Sequence, residues 1–236
     1  MTKSRRSIDT NAKEFENFFQ GWLVRQEHYL EDLRSAMQTC DASEDDLRDL
    51  IARVLAHYLQ YFEEKSRIAN HDVSLVFSPP WFSSFERSFF WIAGFKPALT
   101  FRVVDRSVED MNKEQVEMME RLKAETKAEE RELENELAMI QESVAAPPIV
   151  EVARRGENWL ANGKYDKMES AFETLKEQLE VVVANADMLR SRVAERVVEI
   201  LTPVQNVRFL AAVTELQLKI RTRGWQLDSQ RGDKGR

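Results

Sequence analysis

The sequence predicts an all-α protein, a bundle of about six to eight helices with several long antiparallel members and a short aromatic-rich helix at the centre. Three observations lead there. The 236 residues contain only 7 Gly and 6 Pro, few turn formers for so long a chain. Apolar residues recur at three- and four-residue steps along most of its length, and no segment alternates with the period of a strand. Hydrophobic residues make up 43% and charged ones 32%, the balance of a water-soluble fold with a real core.

The elements follow in order. Residues 1–11 read as a flexible tail. Phe15, Phe18, Phe19, Trp22, Tyr29, Leu33 and Met37 then mark one face of a helix, with Thr10 or Asn11 available to cap it. Ser43 precedes three acids and should cap a second helix, whose stripe is Leu47, Leu50 or Ile51, Val54, Tyr58 and Tyr61 or Phe62. The segment from Phe77 to Pro97 crowds Pro79-Pro80-Trp81, Trp91 and several Phe together. It reads as a helix starting at the prolines after Ser78 and ending with Gly94 at the left-handed C′ position. Such an apolar helix needs cover, and the neighbouring amphipathic helices can bury it, Trp91 included. Residues 95–104 read as extended or irregular.

Ser107 opens a further helix to about Ser143, which Ala145-Ala146-Pro147-Pro148 stops. A short helix is expected around Val150 to Leu160. A long one follows, on Met168, Phe172, Leu175, Leu179, Val182, Ala186, Leu189, Val193, Val197 and Ile200. Thr202 and Pro203 are then N-cap and N1 of the last helix, and residues 226–236 read as a second flexible tail. Residues 12–225 thus form one domain with an internal loop near 144–149.

Charge and composition exclude several functions. The net charge is −7, and the stretch from Asp105 to Ser143 carries all of it, with thirteen acids against six bases. That balance disfavours phosphate-backbone binding as the main activity. No apolar run reaches membrane-spanning length, and Cys40 is the only cysteine, which fits a reducing compartment, nucleus or cytoplasm. No Gly-rich phosphate loop occurs. His28, His57 and His71 show no metal-ligand spacing, and Cys40 lacks an activating neighbour. Neither a catalytic nor a metal site is expected. Glu129, Glu130, Glu132 and Glu134 read as a solvated helix face and, by their charge, as a candidate interaction surface. Glu86 and Arg87 are the one charged pair inside the apolar segment, and burying them requires partners from neighbouring helices. The alternative is a polar anchor on a partner or ligand pocket.

Several separated motifs together resemble a known family. They are Phe15-x-x-Phe18-Phe19-x-x-Trp22; His57-Tyr58-x-x-Tyr61-x-x-x-Lys65; Phe77-x-Pro79-x-Trp81 continuing through Glu86-Arg87 to Trp91, Gly94 and Pro97; Asp187 with Arg190; and Thr202 with Gln205. The order and spacing are similar to those of the plant seed-dormancy (Delay-of-Germination, DOG) domain. That domain also forms the C-terminal part of TGA-type bZIP transcription factors, and the likeness covers about residues 12–225. It departs modestly, at Phe85, Asn206 and Pro203.

The resemblance implies a non-enzymatic helical module that regulates transcription or abscisic-acid and dormancy signalling through protein contacts. Transcription factors or protein phosphatases would be its partners, and homodimerisation is among the expectations. The alternative is a sensor module among the aromatic helices that binds a small hydrophobic ligand or haem, the latter carried by the resemblance although the histidines offer no axial pair. DNA reading of the TGA type is disfavoured, because no basic region precedes the domain.

Overall fold

The structure is a computed structural model that describes residues 2–38, 43–147, 149–150 and 165–234. Among the described residues eight helices surround one small hairpin: α1 (Thr2–Gln38), α2 (Glu44–His71), α3 (Ser74–Phe77), α4 (Ser84–Arg87), β1 (Phe90–Trp91), β2 (Gly94–Phe95), α5 (Leu99–Ser107), α6 (Lys113–Ser143), α7 (Tyr165–Ile200) and α8 (Pro203–Lys234). The all-α reading holds. The short helix expected around Val150 to Leu160 falls almost wholly outside the described residues.

The long helices pack as their stripes require. Arg67 meets Glu14, the Trp22 indole N–H donates to the His57 carbonyl, and Arg53 meets Asp32. As one number rises the other falls, so α1 and α2 are antiparallel. The same holds for α6 and α7, where Gln115 bonds the Ile200 carbonyl and Glu129 pairs with Arg192. The acidic helix therefore lies on the bundle, its Met119, Leu122, Leu133 and Ile140 buried. Helix α8 closes the core against α1, α2, α4 and α5.

Helix ends repay comparison with the sequence reading. Ser43 caps α2, accepting the Asp46 N–H at 3.1 Å. Thr202 and Gln205 form reciprocal bonds at the start of α8. Other boundaries move. Helix α1 begins at Thr2, so Thr10 and Asn11 lie inside it and not at its start, and α8 continues as helix to Lys234. Asn112 rather than Ser107 caps α6, in a capping box with Gln115, and Ser107 instead ends α5, a helix where irregular chain was expected.

The largest correction concerns the Pro-Pro-Trp segment. It is a turn, the four-residue α4 and the hairpin, not one helix. The start signal, Ser83, sits past both prolines and not before them. Ser83 caps α4, and the Glu86 carboxylate returns to the Ser83 N–H. A helix continued from α4 would aim these aromatics all round its axis; the hairpin sends some inward and some outward.

Candidate functional site

The hairpin turns through Ile92 and Ala93, whose φ angles are 41° and 59°. Two-residue hairpins ordinarily place Asn-Gly there, because a Cβ in the left-handed region costs about 1–2 kcal/mol per residue. Here a β-branched residue occupies the first position, and the surroundings must hold it. Arg190 of α7 does so. Its guanidinium donates to the carbonyls of Trp91, Ile92 (2.9 Å) and Phe95 (2.7 Å), and to Asp187 at 2.6 Å. Asp187 also receives the Lys65 ammonium of α2 at 2.8 Å. The Arg190 fork thus ties three carbonyls of the hairpin to two long helices.

Gly94 is explained by this approach. A Cβ there would stand 2.9 Å from Arg190 Cζ, so its role is clearance for the guanidinium and not the helix end expected of it. Trp91 covers the same group, 5.4 Å from ring centre to Arg190 Cζ, and its indole N–H donates to Glu134 at 2.8 Å. Trp91 is half-buried, not a core residue.

The charges beneath the hairpin are out of water. Lys65 is 2% exposed. Burial lowers its pKa to about 8, against the opposing pull of Asp187, and burial likewise lowers that of Arg190. Tyr61, packed among Phe15, Phe19 and Trp22, is driven above the usual phenol range, first by burial and then by the Asp187 charge.

A second buried ion pair supports α4. Glu86 accepts from the Ser83 N–H at 2.8 Å, the Ser83 hydroxyl at 2.7 Å and Arg221 of α8 at 3.1 Å. Arg221 lies over the rings of Phe19 and Trp225. Gly224 lets α8 come this close, since a Cβ there would fall 2.0 Å from the Ser83 hydroxyl. The neighbour-helix partner expected for Glu86 is thus Arg221. Arg87 does not share it. Its guanidinium donates to the Pro79 carbonyl and the Ser84 hydroxyl.

The four glutamates singled out on α6 do different things. Glu130 is buried and accepts the Ala98 N–H at 2.7 Å, which removes it from any surface. Glu134 binds Lys96 at 2.6 Å and Trp91, and the Lys96 bond lowers its pKa. Glu129 pairs with Arg192. Glu132 and Glu134 are exposed and Glu129 is half-buried, so one of the four, Glu130, is withdrawn from the surface.

The remaining signature residues bond or pack within the fold. Trp22 stacks on His57 at 4.5 Å. Tyr58 bonds Gln26, Thr214 and Gln217. Phe77 packs against the core, in which Pro79, Trp81 and Pro97 are buried. Gln205 joins Gln115 and the Asp110 carbonyl where the α7–α8 turn meets the start of α6.

The described histidines do not fit haem. His57 lies flat against Trp22 with Tyr29 on its flank, and burial lowers its pKa to about 4. His28 and His71 are exposed on separate helices. Among the described residues no three His, Cys, Asp or Glu side chains are placed to share a metal ion. No described helix is long and apolar enough to cross a membrane.

A family model described as seed dormancy control matches residues 29–106. Similarity extends much further. The chain is 37% identical over 222 residues to Protein ZW2 of Arabidopsis thaliana, covering 92% of this chain and 99% of that one. The chain belongs to the seed dormancy control family. Its other relatives include Protein RESPONSE TO ABA AND SALT 1 of Arabidopsis thaliana, 36% identical over 91% of this chain and 96% of the relative. Transcription factor TGA7 is 30% identical over 91% of this chain but only 56% of its own length. The matched region 29–106 holds Lys65, Glu86 and the whole hairpin. Asp187, Arg190 and Arg221, which hold them in place, come from α7 and α8 beyond it.

Proposed function

We propose that this protein is a non-enzymatic regulator that works through protein–protein contacts in transcription or in abscisic-acid and seed-dormancy signalling. The observation that carries the reading is near full-length similarity to a relative named for its response to ABA and salt. The use of the signature polar residues supports it. Lys65, Asp187, Arg190 and Glu86 all bond within the protein, which suits a scaffold presenting a surface better than a reaction site. Its partners are transcription factors or protein phosphatases, met in the nucleus or cytoplasm.

Affinity purification of the tagged full chain from abscisic-acid-treated plant nuclei tests this. Recovery of a transcription factor or phosphatase, followed by direct binding of the two purified proteins, is the expected result. Recovery of neither, or saturable binding to a TGACG-containing duplex at physiological salt, contradicts it.

A further inference from the structure

The outward side of the α4–hairpin segment differs from its clamped side. Phe85 and Phe89 meet edge to face at 5.0 Å, and Phe89 is 42% exposed. Phe90, next to Phe89 in the chain, meets Phe95 edge to face at 6.0 Å, both half-buried, and reaches Phe82 on its core side. Arg87 lies between Phe85 and Phe89 in the chain. Among the described residues its guanidinium reaches only a carbonyl and a hydroxyl, at 3.2 and 3.3 Å, and no carboxylate.

We infer that this aromatic ridge with Arg87 is a docking surface for a partner protein's acidic amphipathic helix. The reading rests on the proposed protein-contact function and assigns it a place. Charge complementarity selects the occupant. Arg87 is a planar, partly desolvated cation without an anion among the described residues, and a carboxylate would meet it bidentately. The adjoining rings offer the apolar contact that interface centres favour, where aromatic residues and Arg dominate.

The platform is also preformed. Arg190 fixes the hairpin from beneath, and the Ser83–Glu86 box fixes α4, so binding needs little ordering of the surface. An apolar face alone would suit many occupants. The unpaired guanidinium narrows them to an acidic segment with aromatic or aliphatic anchors at i, i+3 and i+4 spacing.

The test uses peptide display. Random 16-residue peptides are selected on the full-length protein, and enriched sequences are measured against wild type, Arg87→Glu and Phe89→Ser. Acidic peptides with helical apolar spacing should be enriched. Their binding should weaken at least tenfold in each variant while the thermal midpoint stays near wild type. A Lys-for-Glu peptide should regain binding to Arg87→Glu. Three results overturn the proposal: basic or unpatterned winners, binding indifferent to both variants, or a dimer in sedimentation that Phe89→Ser dissolves. A natural partner that binds both variants normally refutes this surface and leaves the proposed function standing; absence of any protein partner refutes the function itself.

Discussion

The two sides of the α4–hairpin segment obey opposite rules. On the inner side every prominent buried charge has a counterpart: Glu86 with Arg221, Asp187 with Lys65 and Arg190, and Glu130 with the Ala98 N–H and the half-exposed Lys96. On the outer side Phe89 stands in solvent, and Arg87 has only neutral acceptors. The inner side cannot lose a member without stranding charge in low dielectric. The outer side can change without disturbing the fold. The difference separates what holds this segment in shape from what it can offer to others.

The sharpest way to break the comparison is Arg190→Ala. It leaves three hairpin carbonyls without their donor and removes one cation from Asp187, a loss expected to cost about 3–5 kcal/mol in urea unfolding. Arg190→Lys should recover little, because an ammonium cannot reproduce the fork. Gly224→Ala comes next. Its Cβ would overlap the Ser83 hydroxyl, and about 2–3 kcal/mol of destabilisation is expected although Ala is the better helix former. A loss below ~1 kcal/mol would mean that α8 and α4 part easily.

Lys65 sharpens the inner side through pH. Its pKa in the fold, about 8, lies below the ordinary 10.5 because of burial. Between these values the unfolded chain binds more protons, so this residue makes stability rise with pH. Unfolding at pH 7.5 and 9, where phenols of the unfolded chain stay mostly protonated, should show that rise in wild type and not in Lys65→Met.

The smaller effects come from the turn and the outer side. Ala93→Gly removes a Cβ at φ 59° and should stabilise by about 0.5–1 kcal/mol. Phe89→Ser, on the outer face, should change stability by no more than about 0.5 kcal/mol. A loss above ~2 kcal/mol there would show that the ridge belongs to the core after all.

Long-range order was legible where periodicity states it. The stripes of α1, α2 and α7 located much of the core, although Met37 and Phe172 at their ends are exposed, and Ser43 and Thr202 marked the starts of α2 and α8. The hairpin was not legible, because Ile92-Ala93 carries none of the Gly, Asn or Asp chemistry by which such turns are read. Its conformation is imposed by Arg190, nearly a hundred residues away. The prolines and Gly94 invited a helix reading, and each has another cause: Gly94 makes room for a guanidinium.

The site residues were legible as a set through the family resemblance, but not as a mechanism. Lys65, Asp187 and Arg190 were identified without any hint that they touch. Arg221 was missed, although the lone glycine beside it, Gly224, signals close packing within an otherwise helical pattern. The α6 glutamates were taken together because sequence shows charge before it shows facing. Glu130 points into the protein and Glu132 away from it.

The central claim is that Arg190 locks the inner side of the hairpin independently of its outer side. Hydrogen exchange at the Trp91 and Gly94 amides, the pair that closes the two-residue turn and so exchanges its ladder hydrogen bonds, tests it directly. Arg190→Lys should lower protection there by about 100-fold, the equivalent of ~2.7 kcal/mol in local opening, while amides in the middle of α2 keep theirs. Phe89→Ser should leave both unchanged. Equal protection of the hairpin in Arg190→Lys and wild type would contradict the account.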